Sequence, residues 1–548
     1  MRLADLGLAL GQIDLGRLDA DADHKLADYF VTTEHAKVAL SGRRTLFLGR
    51  KGSGKTALFL QLPRLYQESG RRLGVVQVTP DQYAWAALKE YQEQGILAEQ
   101  AHTNAWRLTL GIETAAYLLA AEDIDWSLPA EGALDRLRKF MSDNYGDFRP
   151  DLLRTARSLI KGVRSFNLTA FGFGVGAARD IDAITVTPAA IDALFELLNI
   201  VLQEYGLVIL LDRLDDSWDG SAESKTLLVG LLKAAKDLND RLGLNEDDAG
   251  LSVIVFLRSD IYDALQFDDK DKHRPTEDHI TWSTTELREM VGRRMPPDVE
   301  VSDLFEVGEM RGSIAPFNYI LKRTFLRPRE VLQFLEECIR EAGYSVTEIS
   351  KDDIRAAEDR YSHWKVDDLK QEFRKVYPFF DFLMDAFRNE LHRYDSFAEV
   401  EEMLKAKIPS VVQELGFQRI LDILYEASVI GVRVSNAGSP RFKSEKVNST
   451  LAGEGAVYVH QSLLKGLNVR EARKAAPGEE EKWGEPLNVP ADLKGWVVAT
   501  TNYDPGVYDS GVTFVPVVQE QPRLWTPAAW RRSRSRRDSD TGEEREGQ

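Results

Sequence analysis

Gly49-Arg50-Lys51-Gly52-Ser53-Gly54-Lys55-Thr56 stands directly between a short apolar run, Thr45 to Leu48, and an amphipathic stretch, Thr56 to Tyr66, that reads as a helix. A phosphate chain needs closely spaced backbone N–H groups, a cation for its terminal charge and a hydroxyl for the Mg²⁺ that accompanies it. This segment carries all three. Gly49, Gly52 and Gly54, with Ser53 between the last two, let the backbone curl so that its amides point inward; Lys55 neutralises terminal phosphate charge and Thr56 offers its hydroxyl to the metal. The following helix turns its positive N-terminus toward the same anion. Strand, glycine turn and helix in that order predict an α/β fold with a parallel sheet, and ATP with Mg²⁺ at the end of its first strand.

Such a site also needs a carboxylate at the end of a neighbouring buried strand, to hold the metal through water and to activate the attacking water. Leu207-Val208-Ile209-Leu210-Leu211-Asp212 meets that requirement: its aliphatic run suits a strand buried on both faces, and Asp212 ends it as a catalytic and metal-binding candidate. Asp215 and Asp216 follow as candidate general bases, the alternative being a solvated loop that includes Asp219. A third aliphatic run, Val253 to Leu257, ends in Arg258-Ser259. Either residue can sense a terminal phosphate if that strand adjoins the one ending in Asp212, and an ordinary surface arginine is the alternative. Leu326-Arg327-Pro328-Arg329-Glu330 begins a later helix, with Pro328 suited to its first turn and Arg329 able to reach back toward phosphate. Arg293 and Arg294 read as solvated surface or as a finger into a neighbouring subunit.

Around this site the chain divides by pattern. Residues 1–40 form a lead segment, and 41–295 an α/β domain whose four strand-like runs include Leu73 to Val78, with a helical insertion over about 85–165. Phe166 to Gly176, spaced by glycines with no helix start behind them, read as a bent strand or hairpin. A helical lid is expected over 296–370, clearest at Arg329 to Ala342 and Asp352 to Trp364. Residues 371–470 order themselves as a winged-helix-like domain: helices Phe379 to Leu391, Phe397 to Ile408 and Phe417 to Ala427, then strands Val429 to Val434 and Ala456 to Val459 around a polar turn. A small β-rich appendage (471–530) and a tail too poor in apolar residues to fold (531–548) complete the chain.

At 548 residues, 43% hydrophobic and 29% charged, the composition is that of an ordinary globular protein of several domains. The net charge of −18 opposes nucleic-acid binding by the whole surface and leaves only a local patch. Arg441, Lys443 and Lys446 in the expected wing are candidate DNA phosphate contacts, with Glu445 and Glu454 opposing them. Cys338, the single cysteine, lies in the helical apolar pattern Val331, Leu332, Phe334, Leu335, Ile339 and reads as a core residue. Neither a leader pattern nor an apolar run of spanning length is evident, so a cytoplasmic protein without membrane contact is expected.

The ordered set GRKGSGKT, VILLDRLDD, VIVFLRSD and LRPRE, followed by a winged-helix-like unit, resembles the AAA+-related and STAND-type P-loop ATPases. More narrowly, it looks like the bacterial P-loop ATPases known as FunZ. The resemblance covers about residues 25–470 and implies an ATPase that switches conformation, often as a homo-oligomer, with an effector protein, in signalling or anti-phage defence. Two features depart from the AAA+ pattern. Arg213 follows Asp212 where those proteins carry a catalytic glutamate, which leaves the base to Asp215 or Asp216, and a long insertion separates Lys55 from Asp212. No LSGGQ-like stretch follows the glycine loop, which argues against a transporter-type or SMC-like ATPase.

Overall fold

The computed structural model describes residues 1–78, 97–121, 124–145, 188–215, 218–434, 438–446, 449–471 and 483–489. Its first layer is a parallel sheet of β1 (Leu46–Gly49), β2 (Leu73–Val78), β3 (Gly206–Leu211), β4 (Leu251–Arg258) and β5 (Glu277–His279), in the order β2-β3-β4-β1-β5. β1, β3 and β4 are buried along their whole length, which is why almost every residue in them is aliphatic or aromatic. The four expected strands are all present. β5 is an addition: Glu277-Asp278-His279 has no apolar residue to announce it, because it is a half-buried edge strand held by backbone pairing to β1. The register sets Gly49 beside Arg258 and Leu211 beside Val255, so β1, β3 and β4 end along one edge.

Successive side chains of these strands feed opposite cores. Phe47, Val208, Leu210, Ile254 and Phe256 face α1 (Lys55–Glu68) and a short helix, Glu34–Leu40. Pro63 lies inside α1 without ending it. The carbonyl its missing N–H leaves free, that of Phe59, accepts instead from Gln77 Nε2 of β2 at 2.8 Å. The alternate strand residues face α2 (Ala98–Ala120), α3 (Leu128–Tyr145), α4 (Pro188–Leu202) and α5 (Ala222–Leu242). α2 and α3 belong to the expected insertion. The remainder of that insertion, with Phe166 to Gly176, lies outside the described residues.

A helical unit follows, with α6 (Thr284–Gly292), α7 (Pro328–Ala342) and α8 (Lys351–Arg374) packed against Leu3, Leu10 and Leu15 of the lead segment. Ser283 with Glu286 and Ser350 with Asp353 close capping boxes at the starts of α6 and α8. Cys338 is fully buried in α7, as its pattern predicts, and burial raises its thiol pKa well above the ordinary value. α8 does not stop near Trp364. Val366, Leu369 and Phe373 carry its buried stripe on to Arg374, so a boundary drawn at residue 370 falls inside one continuous helix.

The chain then forms α9 (Phe380–Ala386), β6 (Arg393–Tyr394), α10 (Phe397–Lys407), α11 (Pro409–Leu415), α12 (Phe417–Glu426), β7 (Ile430–Arg433) and β8 (Ala456–Val459). β6, β8 and β7 make an antiparallel sheet in that order over a core that includes Phe380, Met403, Leu424 and Val457. α9 ends well before Leu391, and the chain turns at Asn389, whose φ is 62°. β6, two residues long, carries no sequence signal. Apart from residues 483–489, the expected appendage and tail lie outside the described residues. Among the described residues no helix is long and apolar enough to cross a membrane.

Candidate functional site

The glycine loop leaves β1 at Gly49 and enters α1 at Lys55. Gly52 and Gly54 adopt φ of 78° and 95°, the left-handed region that suits glycine. A Cβ at Gly49 would stand 2.3 Å from Ser53 Oγ, so any side chain there would displace the Ser53 hydroxyl. Lys55 is buried and donates from Nζ to the carbonyls of Gly49 at 2.9 Å and Arg50 at 3.3 Å, folding its ammonium back over the loop at the positive end of α1.

Asp212 follows β3 directly and is 2% exposed. Burial raises its carboxyl pKa above the ordinary value, against the Lys55 ammonium, the Arg213 backbone and the Thr56 side chain, which each lower it. For Lys55, burial lowers the pKa while Asp212 and Asp215 oppose the change. Asp212 and the Lys55-Thr56 pair thus meet across the edge where β1 and β3 end, with β4 between them. Two buried atoms here have no hydrogen-bond partner, Asp212 Oδ2 and Ser53 Oγ. Both are oxygens of the kind that hydrated Mg²⁺ and phosphate engage, and the residues fit that pair of ligands.

β4 adjoins β3, which is the condition on which Arg258 is a sensing candidate. Its guanidinium grips Asp260, with Nη2 to Oδ2 at 2.6 Å and Nε to Oδ1 at 3.2 Å, and Nη2 also donates to the Glu372 carbonyl at 3.1 Å. Burial works to lower the Arg258 pKa, and the neighbouring Asp260, Glu372 and Asp215 outweigh it and raise it. Ser259 is buried at the start of a short helix, Ser259–Ala264. Asp215 lies 3.8 Å from Arg258 Nη1, and Asp216 is outside the described residues. Arg213 adopts φ of 63° and pairs with Asp21 of the lead segment at 2.5 Å. Arg329 backs onto the loop: a Cβ at Gly52 would meet its Cβ at 3.0 Å, and its buried Nε has no hydrogen-bond partner.

Arg293 is exposed and Arg294 half-buried, and both meet the lead segment. Arg293 donates to the Phe30 carbonyl at 2.6 Å; Arg294 donates to the Leu15 carbonyl at 3.0 Å and lies over the Tyr29 ring. Both fasten the lead segment to α6 and the residues just behind it.

Several site residues lack any signal of the motif kind. Arg50 and Lys51 look like loop fillers, yet Arg50 donates to the Glu426 carbonyl of α12 at 2.9 Å and Lys51 pairs with Asp368 of α8 at 2.9 Å. Arg327 donates to the Lys51 carbonyl at 3.1 Å. Trp282 donates from Nε1 to the Ser53 carbonyl at 2.8 Å and covers Gly54. Beside Ser53, Gly54 and Ala57 opens a mostly apolar pocket, walled by Tyr29, Phe30 and Val31 of the lead segment with Ile280, Trp282 and Met290. His35 at its margin is held by Asp278 of β5 at 2.6 Å.

Fold and site together define an α/β protein whose glycine loop, buried carboxylate and arginines converge on one edge of a parallel five-stranded sheet. Residues 284–370, which run from α6 into α8, match the family model described as the FunZ-associated C-terminal helical domain. The chain is similar to the putative transposon gamma-delta 80.3 kDa protein of Escherichia coli (strain K12), at 25% identity over 504 residues, 86% of this chain and 69% of that protein. It is also similar to Allergen Alt a 2 of Alternaria alternata, at 28% identity over 182 residues, 29% of this chain and 95% of the allergen. Among solved structures, the Aeropyrum pernix ORC2 protein in its ADP form aligns over 73% of this chain and 85% of that chain, at 11% identity and a TM-score of 0.29. At that TM-score the likeness carries no argument.

Proposed function

We propose that this chain binds MgATP at residues 49–56 and hydrolyses it as a nucleotide-dependent regulatory switch. The observation that carries the reading is the meeting of the Asp212 carboxylate with Lys55 and Thr56 at the glycine loop, across an intervening strand. In this reading the loop amides and Lys55 hold the phosphates, while Thr56 and Asp212 hold Mg²⁺, which screens phosphate charge during transfer. Asp215 or Asp216 orients the attacking water, since Arg213 carries no acceptor. The apolar pocket takes the adenine, with Trp282 and Tyr29 offering aromatic faces. Arg329, packed on Gly52, reports the state of the loop to the lid, of which α7 and α8 are part. The output, through an effector protein or a homo-oligomer in signalling or anti-phage defence, is the finer part of the same proposal. Phosphate release from ATP tests it: the wild-type chain turns over, Lys55→Ala does not, and equal turnover by both removes it.

A second reading is nucleotide-gated DNA binding through the three-stranded C-terminal unit, read as a winged helix. In its favour, Arg441 and Lys446 are exposed between β7 and β8, and the long relative carries a transposon name. Lys443 is less free than its sequence position suggests, since it pairs with Glu426 at 3.1 Å and donates to the Ser449 carbonyl at 3.0 Å.

A further inference from the structure

Ile354, Glu358, Tyr361, Lys365, Asp368 and Glu372 follow one another at helical spacing along α8, and all are buried. Four of them are charged, an arrangement that is costly unless each charge is paired. Glu358 pairs with Arg323, and Lys365 with Glu330. The other two turn to the glycine loop. Asp368 holds Lys51, and Glu372 Oε2 accepts from Arg327 Nη1 at 3.1 Å while that same nitrogen donates to the Lys51 carbonyl at 3.1 Å. The Glu372 carbonyl accepts from Arg258 at the end of β4. Just past the helix, Lys375 donates to the Trp218 carbonyl at 3.3 Å, in the loop behind Asp212. The helix and the residue that follows it therefore touch the glycine loop, the end of β4 and the loop that follows β3.

Two buried atoms in this cluster have no hydrogen-bond partner, Glu372 Oε1 and Arg50 Nη1. Burial raises the Glu372 pKa, and the surrounding Arg327, Arg258, Arg50 and Lys365 more than reverse this, holding its carboxyl well below the usual range. The carboxylate stays ionised and keeps a spare acceptor oxygen among cations.

We propose that Glu372 is a positioning residue of the nucleotide site: anchored in α8, its carboxylate fixes the guanidinium of Arg327 for the terminal phosphate while its backbone carbonyl meets Arg258, so that one helix distinguishes a triphosphate from a diphosphate. The idea rests on the ATP reading above. A guanidinium is a rigid planar fork, and its value to a phosphate depends on the partner that sets its plane. A diphosphate ends short of the region these two arginines serve, so ADP binding draws little on them.

Calorimetric titration of the wild-type chain and Glu372→Gln with MgATP and MgADP tests this, with thermal unfolding as a check on folding. The expected result is a loss of about tenfold or more in ATP affinity with ADP affinity held within about twofold, and partial recovery of the ATP term in Glu372→Asp. An unchanged ATP-to-ADP ratio, or an equal loss for both nucleotides, overturns the proposal. Because the change leaves buried Arg327 only the more distant Glu330 carboxylate at 3.6 Å, Glu372→Gln/Arg327→Gln is the second probe if Glu372→Gln does not fold; a wild-type ratio in that pair also overturns it. A wild-type chain that binds neither nucleotide removes the ATP reading and this inference together. Wild-type binding with an unchanged ratio in Glu372→Gln removes this inference alone.

Discussion

Lys55 and Asp212 set each other's charge from positions 157 residues apart (212 − 55). Burial acts to neutralise both, lowering the lysine pKa and raising that of the aspartate, and each is opposed by the other. An ammonium and a carboxylate kept at a buried edge, with Asp212 Oδ2 lacking a hydrogen-bond partner, cost the fold stability unless a further charged group shares the site. A triphosphate with its metal is a group of that kind.

The apolar pocket beside the loop predicts separable contributions from base and phosphates. Trp282→Ala removes the ring over Gly54 and the hydrogen bond to Ser53. ATP affinity is expected to fall about 10- to 100-fold, roughly 1.4 to 2.7 kcal/mol, with binding of inorganic tripolyphosphate little changed. Calorimetry with both ligands checks it; an equal loss for the two would mean that Trp282 shapes the loop and not the base site.

His35 and Asp278 predict a pH dependence of stability. Burial lowers the His35 pKa, but the hydrogen bond and charge of Asp278 outweigh it, and the folded-state value lies above 6.5. The sign follows: the pair's contribution is complete below about pH 6.5 and is lost as pH rises through the higher folded-state value. Urea unfolding across that window should show the wild-type chain losing stability relative to Asp278→Asn. Parallel curves for the two proteins would contradict it.

Lys365 is fully buried between Glu330 at 2.8 Å and Asp368 at 3.6 Å. Lys365→Met removes the nearer of two cations from Glu330, leaving Arg327 Nε at 3.6 Å, and a loss of about 3 kcal/mol is expected in urea unfolding. Adding Glu330→Gln should return part of it. A neutral single variant would show that the buried charges on α8 are not coupled.

Under the DNA reading, Arg441→Glu with Lys446→Glu abolishes binding to duplex DNA, and wild-type binding weakens steeply with salt. Gel-shift titrations at two salt concentrations report both. Absence of wild-type binding at low salt removes that reading.

How much the sequence discloses depends on whether the physics is local. The glycine loop, β3 with Asp212 directly after it and β4 ending in Arg258 are legible because each is a short segment whose residue types are dictated by one buried strand or one tight turn. β5 is not, since an edge strand held by backbone pairing places little demand on its side chains. The roles of Asp368 and Glu372 were hidden by an early end to α8. Their spacing from Tyr361 was the available signal, charged residues continuing a buried stripe. Arg213 marks the opposite case: its departure from the AAA+ pattern is plain in the sequence, while its pairing with Asp21 depends on a lead segment that folds back from a distant part of the chain.

The most direct measurement is calorimetric titration of ATP, with and without Mg²⁺, into the wild-type chain, Lys55→Ala and Asp212→Asn. The expected result is Mg²⁺-dependent binding by the wild type, loss of about 100-fold or more in Lys55→Ala, and retained binding that no longer responds to Mg²⁺ in Asp212→Asn. Wild-type binding that is indifferent to both substitutions, or no binding at all, would contradict a triphosphate shared between Lys55 and Asp212.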